Sequence, residues 1–512
     1  MAVDKPNRLI GPLLVIALLM PVGAGMAATF PDRMQEALES WDLVTARQIL
    51  AEVAGASRPR TVLATDGYIR FLQGDYAGAE DALVRSGDSG ARGLLDRVRD
   101  TRAALEGFAT VLSPSRRFEI RYESGMDEAM LPYLMDAADA SFERLSRTMA
   151  MTVPIPIRIE IVPGTRVLAS MTGESEEALD ASGAVAVCKY FKIVMVSPSR
   201  THWGYPFADT IAHELVHFFL TMRSGDRLPV WFQEAVAKYL EPTWRGDPPG
   251  TLSRTLVRLL SDAVANGRLI PVSDIRSSLI HLKGPDQVAL AFAQLSSFAG
   301  FLERTAGTGV LVRMADEFRQ GDQDVAVLRA TGRTLAQNLE EWNRAIVREG
   351  LGRGDAPGPG GTLLRESVRD PMAGLSQELA AKVRIGDLLR HQGKHRAAVS
   401  VFESVIGAQT SPHPVLVARL TSAWIEAGQA SRVLDILDRL RLDEREFAML
   451  SRERGRALEF LGRHAEAEGP LLIAVRTDPY DPATHEALYR VMTALGRPDL
   501  ADRERRLLGL WR

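Results

Sequence analysis

The chain has 512 residues, 62 of them basic and 65 acidic, for a formal net charge of −3. That length accommodates roughly two to four domains, and the near balance of charge argues against a nucleic-acid surface and a polybasic membrane footprint. Cys188 is the single cysteine, so no intramolecular disulfide forms and the fold rests on its cores, for which a 46% hydrophobic content is ample.

At the N-terminus, Lys5 and Arg8 precede an apolar run over 9–22, and small residues follow over 23–28. This order is that of a secretory leader, residues 1–28, with cleavage after Ala27 or Ala28. It predicts an exported protein, periplasmic or secreted. Retention of the run as an N-terminal membrane anchor is the alternative. The run is shorter than the ~20 residues a spanning helix needs. No later segment reaches that length without charges, so no stable membrane span is expected after cleavage.

Residues 29–112 form a first region. Apolar residues recur at three- and four-residue spacing over 37–53 and 61–84, which predicts helices. Over 67–83, large residues, then Gly74 and then small alanines suit two tightly packed antiparallel helices. The pattern resembles a tetratricopeptide repeat; an ordinary helical hairpin is the other reading.

The texture changes near Ser113, where a second region, 113–349, begins. Residues 117–122 and 155–162 alternate as strands, a helix is expected over about 127–149, and 183–196 reads as a two-strand hairpin. Cys188, in the apolar part of that hairpin, reads as a small buried strand residue. Next comes a helix carrying His213-Glu214-x-x-His217. Positions i and i+4 share one helix face, so the two imidazoles can grip one metal ion, with Glu214 beside them to act on a water as general base. A second helical stretch, 228–241, carries Glu234. Two His and a Glu leave a fourth zinc position open, as catalysis requires.

With sixteen residues separating His217 from Glu234, and Trp231-Phe-Gln-Glu234-Ala-Val-Ala-x-Tyr239-x-Glu241 around the latter, residues 115–345 resemble the gluzincin metallopeptidases of peptidase MA type. The closer likeness is to the branch often attached to tetratricopeptide repeats, the more distant one to the aminopeptidase gluzincins. The resemblance implies a zincin-like α+β domain, a Zn2+ cofactor held by His213, His217 and Glu234, and a protein or peptide substrate. It also implies a strand just before the metal helix that pairs with extended substrate, a role falling on Lys192, Ile193, Val194, Met195 and Val196; a plain sheet strand is the other reading of this segment. Tyr239, Tyr205 and His202 are the candidate oxyanion donors. There are departures. Ala235 replaces a usual Gly, and Lys238 stands where thermolysin-like enzymes have an Asp that orients a zinc histidine; Asp209, one turn before His213, is a candidate for that task. Phe292 falls near a position where relatives often carry Tyr. The aminopeptidase substrate signature is absent upstream of His213, which favours an endopeptidase.

Residues 350–373 are too rich in Gly and Pro for helix or strand and read as a linker. Beyond it, over 374–512, Gly393, Gly428, Gly462 and Gly496 stand 35, 34 and 34 residues apart, each closing an apolar helix. The period matches tetratricopeptide repeats, whose stacks offer a concave surface to protein partners. His391, His395 and His413 lie there without acidic or Cys partners at a metal spacing and read as solvated groups. The whole is thus expected to be mainly α: an α+β zincin-like domain flanked by all-α, repeat-like regions. The function expected is that of an exported zinc peptidase with recruiting repeats. The rival is an envelope scaffold that keeps the fold, is catalytically weak or inactive, and binds partners through the repeats.

Overall fold

The computed structural model describes residues 29–39, 42–53, 60–189, 191–201, 204–275, 282, 284–349, 375–409, 412–440, 444–445 and 447–511. The leader, the linker and His202 lie outside these residues. The protein is mainly helical with one small mixed sheet. Among the described residues no helix is long and apolar enough to cross a membrane.

Five helices come first: α1 (Thr29–Glu39), α2 (Leu43–Val53), α3 (Arg60–Leu72), α4 (Tyr76–Ser86) and α5 (Arg92–Ala104). The sheet and its crossovers follow as β1 (Ala109–Leu112), β2 (Phe118–Tyr122), α6 (Leu131–Thr148), β3 (Ile157–Val162), α7 (Thr165–Thr172), α8 (Glu176–Ser182), β4 (Ala186–Lys189) and β5 (Lys192–Val196). The strand order is β1-β2-β3-β5-β4; β2, β3 and β5 run parallel, and β1 and β4 pair antiparallel at the two edges.

The period-two alternation of strand side chains divides the sheet between two cores. Ile157, Ile159, Ile161, Ile193 and Met195 enter one, with α6 and the metal helix. Val162, Val194 and Val196 enter the other, against α1–α5. The first helices therefore cover the second face of the sheet. This corrects the expected substrate edge. Lys192, Ile193, Val194, Met195 and Val196 are buried and flanked by β3 and β4, so β5 has no open edge. Its unbroken apolar run is the mark of a strand covered on both faces. The edges belong to β1 and β4, and β4 is the one beside the metal helix.

One charge group is sealed between sheet and helices. The Lys192 ammonium donates to the Tyr76 hydroxyl at 2.7 Å, and that hydroxyl donates to Glu160. Arg121 donates to the other Glu160 oxygen at 3.1 Å. Burial lowers the Lys192 pKa to about 8, against the pull of Glu160. Each buried charge has partners, which is the condition for tolerating it there.

The metal helix α9 (Phe207–Ser224) and α10 (Val230–Leu240) come next, and a 3-10 turn (Glu241–Arg245) continues α10. Then come α11 (Arg254–Ala265), α12 (Val272–Ile275), α13 (Pro285–Thr305), α14 (Val310–Gln320), α15 (Gln323–Thr331) and α16 (Leu335–Arg348). Trp231, Phe232, Phe298, Phe318 and Trp342 cluster with ring centroids 4.9–6.4 Å apart, fixing α10 against α13, α14 and α16.

Four helical pairs end the chain: α17 (Gln377–His391) with α18 (His395–Gly407), α19 (Pro414–Glu426) with α20 (Ser431–Leu440), α21 (Ala448–Phe460) with α22 (His464–Val475), and α23 (Pro482–Ala494) with α24 (Pro498–Leu507). The four regularly spaced glycines each end the first helix of a pair at positive φ. Close packing within pairs needs small residues: a Cβ at Gly386 would stand 2.6 Å from Phe402, and one at Gly455 2.5 Å from Leu471. The first two pairs form a second core, which Phe447, Leu450 and Ala457 of the third pair join. The last two do not: Leu458, Leu471, Val475, Leu488, Val491 and Leu507 join the core that holds the sheet and the metal helix. Polar contacts reinforce that seam. Glu504 accepts from Tyr133 at 2.6 Å and pairs with His485 at 2.7 Å, and the Tyr480 hydroxyl donates to Asp127 at 2.9 Å.

Candidate metal centre

Helix α9 buries Phe207, Ala208, Ile211, Ala212, Leu215, Val216, Phe218, Phe219 and Leu220. Those residues leave His213 and His217 together on the remaining stripe, as a helical period requires. Gly225, at φ 65°, stops the helix and returns its N–H to the Thr221 carbonyl. Helix α10 brings Glu234 across to the two imidazoles.

The three expected ligands converge. His213 Nε2 and His217 Nε2 are 3.2 Å apart, and Glu234 Oε2 lies 3.3 Å from the first and 3.6 Å from the second. A tetrahedral ion with bonds of about 2.0–2.1 Å separates its ligands by roughly 3.3–3.5 Å. The trio therefore fits zinc, with a fourth direction left to water or substrate. These are the described residues that form such a group.

The electrostatics agree with a cation-seeking site. Burial works against a charged His213, yet Glu234 and Glu241 outweigh it and lift its pKa to about 10. Burial likewise opposes ionisation of Glu234, and the two histidines reverse this, holding it well below the usual carboxylate range.

Glu241 is the residue that sequence reasoning missed. Its Oε2 is 3.2 Å from His213 Nδ1, and Lys238 donates to its Oε1 at 2.6 Å. Burial is overcome by Lys238 and His213, which bring its pKa down to about 2. A carboxylate facing Nδ1 fixes the proton there and frees Nε2 for a metal. Asp209 does not take this part, since it accepts from Trp244 Nε1 at 2.8 Å and pairs with Arg245. The signal was present: Glu241 follows Glu234 by seven residues, two helical turns, and so shares its face. Glu241→Ala is expected to weaken metal affinity about 10–100-fold. Competition with a chelator of known affinity measures this, and an unchanged affinity would remove Glu241 from the site.

Glu214 is 7% exposed and is not one of the converging ligands. Burial raises its pKa, moderated by His217, His213 and a hydrogen bond from the backbone of Cys188 on β4. Cys188 is half-buried near Glu214, and desolvation raises its thiol pKa well above the ordinary value. That is the state of an inert thiol.

One proposed oxyanion donor is engaged elsewhere. The Tyr205 hydroxyl donates to the Val196 carbonyl. The Tyr239 ring lies against Gly250 and Gly300. Gly300 is eight residues, roughly 12 Å along α13, from Phe292, whose ring stands edge-on to His213 at 5.9 Å. Hydroxyl directions carry no sequence period, so the commitment of the Tyr205 hydroxyl to a backbone carbonyl could not be read from the sequence. Phe292 supplies an apolar wall.

No curated protein matches the chain. Residues 137–348, which run from within α6 through the metal centre to the end of α16, match the family model of the Peptidase MA superfamily, a similarity that supports a metallopeptidase-type, peptidase-like domain in this part of the chain.

Proposed function

We propose that the protein is an exported, zinc-dependent endopeptidase of gluzincin type whose repeat-like helical pairs recruit a protein partner or substrate. The observation that carries the reading is the convergence of His213, His217 and Glu234 with the buried Glu214 beside them. The leader-like pattern of residues 1–28 supports export, and the regular glycine spacing supports the tetratricopeptide reading of the last four pairs.

Bound zinc would polarise the scissile carbonyl and lower the pKa of a water. Glu214 takes the proton from the attacking water and delivers it to the leaving amine. Glu241 keeps His213 in the productive tautomer, and Phe292 excludes water from one side of the histidine. The free edge of β4 offers backbone groups to an extended peptide.

Metal analysis of the purified protein and digestion of a peptide library test the proposal together. One zinc per chain and hydrolysis that a chelator abolishes are expected. A chain without metal, or hydrolysis indifferent to the chelator, sinks it. One observation favours the second reading, a scaffold with weak or no turnover: the Tyr205 hydroxyl is committed to the Val196 carbonyl, and a Phe stands at 292. Under that reading zinc binds and no peptide is cut.

A further inference from the structure

Arg476 follows α22 in the third of the last four helical pairs, outside the family-matched stretch. Its guanidinium lies over the Trp244 ring, 4.9 Å from the centroid. Among the described residues it makes no hydrogen bond or ion pair, and its buried Nε has no partner. The nearby carboxylates are taken. Asp209 is held by Arg245 and Trp244, and Asp136 by Arg503 at 3.0 Å. Burial lowers the Arg476 pKa, and the surrounding charges include a second cation, Arg503, along with Asp136, Asp209 and Tyr133.

The position is fixed relative to the metal centre. Trp244 belongs to the 3-10 turn that also carries Glu241, and its Nε1 donates to Asp209, one turn before His213 on α9. The next residue, Thr477, accepts the Tyr205 N–H at 3.1 Å just ahead of α9. There Gly204 comes so near the Thr477 carbonyl that a Cβ would overlap it. A stacked, partly desolvated guanidinium with no counter-ion is poised for a carboxylate, which its planar fork binds in two places.

Resting on the peptidase reading above, we propose that Arg476 determines substrate specificity: it receives a carboxylate of the bound peptide, from an acidic side chain or a chain end, near the start of the metal helix. One helical turn, about 5.4 Å, separates Asp209 from His213, so the carboxylate is sought at every position of the peptide. The repeat-like region contributes to recognition at the centre itself.

The test compares fluorogenic peptide pools carrying Glu or Gln at each position, and free-acid or amide ends, on wild type, Arg476→Gln and Arg476→Lys. Wild type should favour the carboxylate form at one position by about tenfold or more in kcat/KM, mainly through KM. Arg476→Gln should bring that ratio to near one, and Arg476→Lys should keep part of it. The Glu pools report a side chain and the free-acid pools a chain end. No preference in wild type, or a ratio that survives Arg476→Gln, overturns the proposal. Equal loss on both forms leaves the ratio intact and assigns Arg476 a structural role, which also overturns it. Anisotropy of the same peptides on Glu214→Gln protein reads the subsite without turnover. If wild type cuts nothing while binding still loses its carboxylate preference with Arg476, the peptidase reading fails and the subsite stands.

Discussion

Glu214→Gln is expected to lower kcat for peptide hydrolysis by about 10²–10⁴-fold, while the protein keeps its zinc. The exchange preserves shape and removes the proton acceptor. Glu214 lies outside the set of converging ligand atoms, so His213, His217 and Glu234 still hold the ion. Removing a buried carboxylate with a raised pKa also relieves some desolvation, so the fold should not suffer. Elemental analysis and thermal melting beside steady-state kinetics separate the outcomes. Turnover within a few-fold of wild type would show that another group carries the proton. Loss of zinc together with activity would mean that Glu214 supports the metal.

Ending the chain at residue 349 is expected to abolish soluble, zinc-loaded protein. The sequence suggests a peptidase unit followed by a linker and a separable arm. The structure places Leu458, Leu471, Val475, Leu488, Val491 and Leu507 in the same core as Ile211, Leu215 and the inner face of the sheet. Each large side chain of this kind contributes about 1.5–3 kcal/mol when buried, and whole proteins are stable by only about 5–15 kcal/mol. Truncation would also leave Tyr133 without Glu504, and the Tyr205 N–H without its acceptor on Thr477. Co-expressing residues 375–512 as a second chain should restore yield and metal content. A truncated chain that is soluble, melts cooperatively and binds zinc at full stoichiometry would refute the shared core.

What could be read from the sequence was what has a period. His213 and His217 are legible because four residues close a helical turn. Glu234 adds a ligand from a second helix of its own period, and the glycines at 393, 428, 462 and 496 mark the last pairs in the same way. The misreadings concern direction and distance. Lys192-Ile-Val-Met-Val directly precedes the metal helix, which suggests an edge, although a run without alternation belongs inside a sheet. Tyr205 and Tyr239 had suitable chemistry, but nothing local tells where a hydroxyl points. The partnership of Tyr133 with Glu504, 371 positions apart, could be seen only in the fold.

On the proposed peptidase reading, the edge strand β4 sets a condition on the form of a substrate. It is four residues long, pairs on one side with β5, and its Cys188 backbone meets Glu214. A chain that pairs with this edge must already be extended and stripped of its own backbone hydrogen bonds over several residues. Helices and sheet interiors of a folded protein cannot meet that condition. Such an edge would then sort proteins by how often they open locally: frayed termini, unfolded segments and chains awaiting assembly would be cut, and their compact forms passed over.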